Sequence, residues 1–214
     1  MHTHIQETSD ELNNSIQNNK GPSCHLSEQH LSPIANLARM GVLDDIVAAH
    51  CVHMTEEDIQ LMAKHHGSIV HNPKSNLKLD SGICPVQHAL DEGVNVCLGT
   101  DGAASNNSLD MLSELQYAAL LGKYRANEPT ALSAATAIEM ATLNGAKALK
   151  LADKIGSIEI NKYADVIAIN LDEIETCPHF NALSSIVYSA NKSQVKEQTK
   201  KWTKTLSEFK ASKQ

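Results

Sequence analysis

The sequence predicts an α/β fold built from parallel β/α units, followed by a small β appendage. Three observations carry that prediction. Short apolar runs alternate with amphipathic stretches up to about residue 150, the pattern of parallel strands joined by crossover helices. Each apolar run stops abruptly at a polar residue: His50, His71, or Asp101 in the turn Gly99-Thr100-Asp101-Gly102. From Leu151 onward, helical periodicity gives way to short β-like runs separated by polar turns.

The elements follow in order. Ile46-Val47-Ala48-Ala49 is a short strand ending at His50. Thr55, followed by Glu56, Glu57 and Asp58, reads as a capped helix start with acids in its first turn. That helix runs to about Lys64, and Gly67 stops it. Ser68-Ile69-Val70 is the next strand, ending at His71-Asn72-Pro73. Ile83 to Glu92 has helical spacing and closes at Gly93. Val94 to Leu98 is a strand whose tip carries Asp101. Ser108 to Lys123 places Leu109, Leu112, Leu115, Ala119 and Leu120 on one helical stripe. Ser133 to Leu149 is an Ala-rich helix with Gly145 near its end. Lys154 to Ile158 and Ala164 to Asn170 read as strands, and Val195 to Lys213 as a Lys-rich surface helix.

Composition narrows the function classes. Of 214 residues, 42% are hydrophobic and only 3% aromatic, so Leu, Ile, Val and Ala build the core. A net charge of -7 argues against a nucleic-acid partner, which normally needs a basic stripe. No apolar run approaches the ~20 residues that span a bilayer, so no membrane partner is expected. The segment MHTHIQETSDELNNS lacks the basic and apolar parts of a signal peptide, which predicts a cytoplasmic protein. The five cysteines, Cys24, Cys51, Cys84, Cys97 and Cys177, form no CxxC pair, and Cys51 and Cys97 lie in apolar runs. Free thiols in a reducing compartment fit better than a disulfide framework.

The eleven histidines divide by position. His25, His30, His65, His66, His88 and His179 lie in polar or helical contexts and read as surface or structural residues. His4, His50, His53 and His71 stand at or just after strand ends. His4 and Glu7 form His-x-x-Glu in HIQET, and Asp101 ends a later strand. Imidazole and carboxylate are natural ligands of zinc and similar divalent ions. Strand tips of a parallel α/β fold converge on one place, so residues distant in sequence can share one site. A metal with a carboxylate beside it activates water.

The segments HIQETSDE, AAHCVHMTEED, HNPKSNLKL and LGTDGAASNNSLDM resemble the amidohydrolase superfamily, in its cytosine-deaminase-like branch. Within that branch they are most similar to 5-methylthioadenosine/S-adenosylhomocysteine deaminases and chlorotriazine hydrolases. The resemblance runs from about His2 to Asp172, and IGSIEINKYADVIAIN resembles the family's C-terminal return to a small β-sandwich.

The resemblance implies the C-terminal half of a metal-dependent (β/α)8 TIM barrel, strands five to eight, over residues 1–150. A truncated β-sandwich segment over 151–195 and a C-terminal helix over 196–214 complete it. It implies zinc as cofactor, with iron or another divalent ion as the alternative, and His4 and Asp101 as its ligands. Glu7 contacts the substrate ring and shuttles a proton. His50 orients the attacking hydroxide. Asp101 is also the general base. Glu7, His50 and Asp101 are thus the expected catalytic and substrate-binding residues. His53 and His71 are read as structural or supporting residues behind the site. The implied reaction is hydrolytic deamination of an adenosine-type nucleoside. The alternatives are guanine or cytosine deamination, or triazine dechlorination. The implied partner is a small heterocycle, with homo-oligomerisation expected only of a full-length form.

Two departures bear on that expectation. The family's strand-one His-x-His pair has no counterpart; His2-Thr3-His4 spells it, but HIQET directly follows, so it reads as the start of strand five. Four β/α units cannot close a barrel, which leaves open edges. His4 and Asp101 are two ligands where catalytic zinc sites use about three. An inactive fragment is therefore the competing expectation. The run from Ser193-Gln194-Val195 into KEQTKKW also predicts a shortened appendage.

Overall fold

The computed structural model describes residues 1–18 and 31–198. Cys24, His25 and His30 lie outside the described residues, as does residue 199 onward of the expected terminal helix. The chain runs β1 (His2–Ile5), α1 (Ser9–Asn18), α2 (Pro33–Arg39), β2 (Val47–His50), α3 (Glu56–Lys64), β3 (Ser68–His71), α4 (Pro73–Lys78), α5 (Val86–Asp91) and β4 (Asn95–Leu98). It continues through α6 (Ala103–Asn106), α7 (Met111–Ala126), α8 (Ala134–Ala141), α9 (Leu143–Ala148), β5 (Ile167–Ile169), α10 (Ala182–Tyr188) and β6 (Val195–Gln198).

Strands β1 to β4 form one parallel sheet in sequence order. Thr3 lies opposite Ala48, Ala48 opposite Ile69, and Ile69 opposite Val96. This register aligns the C-terminal tips of all four strands along one rim. Ala48, Ile69 and Val96 are fully buried, and Ile34, Ile59 and Met62 of the flanking helices pack in the same core. The predicted start of α3 is built as a capping box: the Thr55 hydroxyl accepts from Asp58 N–H at 3.2 Å, and Asp58 accepts from Thr55 N–H at 2.9 Å. Asp58 also accepts from Gln6 Nε2 at 2.9 Å and from the Ser32 hydroxyl, so one buried carboxylate ties the exit of β1 to α2 and α3.

Helix α7 starts at Met111 rather than Ser108, because Asp110 caps it by accepting from the Leu112 and Ser113 N–H groups. The expected Ala-rich helix breaks at Thr142 into α8 and α9, where the Thr142 hydroxyl bonds back to Ile138 O at 2.7 Å. Asn144 of α9 reaches β4: its side-chain amide donates to Val96 O at 3.0 Å.

The appendage corrects three expectations. Residues 154–158 are no strand; Lys154 and Ile155 N–H both bond to Leu151 O, winding the chain into a turn that leads to Gly156 at φ +91°. Ala164 to Asn170 contributes only β5, Ile167–Ile169. Residues 195–198 are a strand, not the start of a helix. Asn191 and Gln194 cap a single 3-10 turn over Lys192–Gln194, and the chain then leaves it to pair β6 antiparallel with β5, Val195 opposite Ile169. The boundary expected at 195/196 therefore falls inside a strand. No helix among the described residues is long and apolar enough to cross a membrane.

Candidate functional site

The site lies on the rim where β1 to β4 end. His4 is in β1, Glu7 follows it by three residues, His50 ends β2, and Asp101 follows β4. Three of these strand exits turn through the left-handed region: Gln6 at φ 49°, His50 at 72° and Asp101 at 58°. That conformation costs an L-residue about 1–2 kcal/mol. It persists where the surrounding structure over-determines it, typically at functional sites.

The four side chains meet although they come from three strands. His4 Nε2 is 4.0 Å from Asp101 Oδ1, and His50 Nε2 is 3.8 Å from Glu7 Oε2. The His4 and His50 rings pack edge-on with centroids 4.7 Å apart. His4, Glu7 and His50 offer one ligand atom each, all within 4.8 Å of one another. Burial grades across the group: His50 is fully buried, Asp101 14% and Glu7 22% exposed, and His4 62% exposed.

Hydrogen bonds leave specific atoms free. His50 Nδ1 is 2.8 Å from Asn76 Oδ1, an acceptor, which puts the ring proton on Nδ1 and leaves Nε2 bare. Buried Nε2 has no hydrogen-bond partner among the described residues. Asp101 Oδ2 accepts from the Ser75 hydroxyl at 2.7 Å and the Ser105 hydroxyl at 2.5 Å, so Oδ1 is the oxygen left facing His4. Burial pushes the Asp101 carboxyl up, but bonds from Ser105, Ser75 and the Gly102 backbone, with the nearby His50, hold it below its ordinary value. Glu7 Oε1 faces the Ser81 hydroxyl at 3.5 Å.

These atoms suit a divalent ion. Two ligands of a tetrahedral zinc lie roughly 3.3 Å apart, from the usual Zn–N and Zn–O distances. The His4–Asp101 separation of 4.0 Å is within a small side-chain adjustment of that. Unpartnered buried Nε2 of His50 is the kind of orphan that a water or ligand at the site satisfies.

No hydrogen bond or ion pair among the described residues joins His53 or His71 to these four side chains. His53 Nε2 is 2.8 Å from Ser81 O, joining two loops. His71 is fully buried with neither ring nitrogen partnered among the described residues, and burial, reinforced by His50, drives its pKa down to about 3. His65 and His88 sit against Asp44 and Glu56 on the surface. Sequence reasoning missed Ser75, Asn76 and Ser105, the residues that hold Asp101 and His50. Their signal was present, since Ser75 and Asn76 lie in HNPKSNLKL and Ser105 in GTDGAASNN.

The sequence matches the amidohydrolase family over residues 1–201. The chain belongs to that family. It is 48% identical over 192 residues to a 5-methylthioadenosine/S-adenosylhomocysteine deaminase of Teredinibacter turnerae, covering 88% of this chain and 41% of that protein. A deaminase of the same name from Thermoanaerobacter pseudethanolicus is 42% identical, with 91% and 43% covered. Among solved structures, an adenosine deaminase from Xanthomonas campestris with bound zinc superposes with a TM-score of 0.87 at 42% identity, over 95% of this chain and 44% of that one. An atrazine chlorohydrolase from Arthrobacter aurescens, complexed with zinc, gives 0.77 at 27% identity, over 91% and 41%. This amidohydrolase chain thus spans less than half the length of the curated relatives it matches.

Proposed function

We propose that the chain is the C-terminal half of a zinc-dependent barrel deaminase acting on an adenosine-type nucleoside, with β1 to β4 as strands five to eight. The observation that carries the reading is the approach of His4 Nε2 and Asp101 Oδ1, from the two outer strands of the sheet, beside Glu7 and His50. The names of the relatives support the substrate class, and the zinc in two related structures supports the metal. The short antiparallel pair β5–β6 is read as the remnant of a β-sandwich. Buried unpaired Cys51, Cys84 and Cys97 suit a reducing cytoplasm.

In this reading His4 and Asp101 would hold the ion, with further ligands supplied from outside the chain. The ion supplies water activated near neutral pH. Asp101 Oδ1, free of hydrogen bonds from Ser75 and Ser105, takes a proton from the attacking water. His50 Nε2, bare because Asn76 faces Nδ1, accepts from that water and aims it. Glu7 Oε2 gives one proton to the ring nitrogen, the proton that Asp101 took from water passes to the departing amine, and the hydroxyl proton of the collapsing adduct returns to Glu7 as ammonia leaves.

The outer strands β1 and β4 favour one competing reading, in which the lone chain is inactive because its sheet is unclosed and its ligand set short. A chimera tests the first reading, and the lone chain assayed beside it tests the second. The chain replaces the matching part of the Teredinibacter relative, and ammonia release is measured from 5-methylthioadenosine, S-adenosylhomocysteine, adenosine and guanine, with chloride release from a chlorotriazine. Ammonia from the thioether nucleosides, lost in Asp101→Ala, is the expected result. Chloride release moves the chain to the triazine alternative. A chimera that folds, binds zinc and turns over nothing overturns the proposal.

A further inference from the structure

We propose that Glu114 is a positioning residue for Asp101, clamping the strand-tip carboxylate through two arms. The proposal rests on the reading of Asp101 as the metal-holding carboxylate. Glu114 lies in the first turns of α7 and is fully buried. A buried carboxylate costs several kcal/mol unless its oxygens are bonded. Both are: Oε1 accepts from Asn106 Nδ2 at 2.6 Å and Oε2 from Lys74 N–H at 3.2 Å. Neither bond is to a charged group, since the Lys74 ammonium turns instead to the Ser108 hydroxyl at 2.5 Å. Burial accordingly raises the Glu114 pKa.

The two partners explain why an acid stands there. Asn106 Nδ2 also donates to Thr100 O at 2.7 Å, the carbonyl immediately before Asp101. Asn106 follows Ser105, whose hydroxyl donates to Asp101 Oδ2. Lys74 precedes Ser75, the second hydroxyl on that same oxygen. Each Glu114 oxygen therefore sits one residue from a group that touches Asp101. One arm fixes the backbone ahead of the left-handed Asp101, and the other fixes the start of α4, which carries Ser75. Together they keep Oδ2 occupied and Oδ1 turned toward His4.

Only a carboxylate fits this job. Both neighbours are N–H donors, so two acceptors are needed. Glutamine offers one oxygen and one amide N–H, which meets a donor head-on and releases one arm.

The test compares Glu114→Gln with Met140→Ala, a buried substitution in α8 outside the site that serves as the stability control. Hydrogen–deuterium exchange over residues 99–109 is measured on the full chain, and Zn2+ affinity by calorimetry on the chimera that supplies the remaining ligands. Glu114→Gln should speed exchange in that segment and weaken Zn2+ binding about 10–100-fold, while Met140→Ala, with an equal or larger loss of Tm, changes neither. Asn106→Ala, which cuts one arm, should reproduce the exchange effect and stands in if Glu114→Gln does not fold. Segment exchange no faster in Glu114→Gln and Asn106→Ala than in Met140→Ala overturns the clamp. A folded wild-type chimera that binds no Zn2+ defeats the metal reading instead, while the exchange comparison still decides the clamp.

Discussion

Ile69 and Ile160 are the same amino acid in two regions of one chain. Ile69, in the middle of β3, is 0% exposed; Ile160, in the segment after α9, is 83% exposed. Around Ile69, parallel strands and crossover helices close a core that holds Ile34, Leu43, Ile46, Ile59, Met62, Val86, Val94 and Val96. Around Ile160 the described residues form no second layer: Ile158, Ile174 and Phe180 are exposed as well. The two-stranded β5–β6 pair is too small to bury them. Among the described residues of this region only α10 joins a buried cluster, where Val187 packs with Leu115, Ala119 and Ala137. The sheet with helices on it buries its aliphatic side chains, and the antiparallel pair leaves Ile167 half exposed.

Substitutions sharpen that contrast, the largest effect first. Asp101→Ala in the chimera should lower ammonia release by about 10²–10⁴-fold, since in the proposed reading it removes a general base and a ligand together; a steady-state ammonia assay that finds wild-type rates places the chemistry elsewhere. Ile69→Ala should cost about 2–5 kcal/mol in urea unfolding, the range for truncating a packed core side chain. A loss below 1 kcal/mol breaks the comparison at its root.

His71 gives a pH signature to the sheet region. Its native pKa, near 3, lies below the ordinary value of 6.5, so between those limits the unfolded chain binds the extra proton. Stability should therefore fall as pH drops from 6.5 toward 3, at up to about 1.4 kcal/mol per unit. Urea midpoints at pH 7 and pH 5 measure it, and His71→Leu should flatten the difference. Thr55→Ala, which removes half of the α3 capping box, should cost about 1 kcal/mol by thermal denaturation. Phe180→Ser in the appendage should move stability by no more than about 0.5 kcal/mol. A larger loss in that last variant means that the appendage has a packed layer after all.

Much of the first region was legible in residues. Ser68-Ile69-Val70 and Val94 to Leu98 are short, apolar and β-branched, and both are strands. Thr55 with Asp58 three residues on marks a helix start by local chemistry alone, and the box is there. The appendage was not legible. Lys154 to Ile158 has strand-like residues, but without a neighbouring strand its backbone N–H groups bond locally to Leu151. Val195 to Gln198 has helix-forming neighbours, yet it lies opposite β5 and pairs with it. Pairing with a distant strand outweighs weak local propensity.

The sequence by itself placed His4, His50, His71 and Asp101 at or just after strand ends, and its family resemblance singled out His4, Glu7, His50 and Asp101 as the candidate site. Alternating pattern and local turn chemistry are short-range, and they leave their mark in consecutive residues. Only the tertiary structure decided which atom of each side chain is free. Asn76 turns His50 by its Nδ1, and Ser75 and Ser105 occupy Asp101 Oδ2. Glu114 reaches the adjoining Asn106 and Lys74 from a helix that begins ten residues after Asp101. Those contacts depend on how α4, α6 and α7 pack against the sheet tips, and no local pattern encodes a distance between elements.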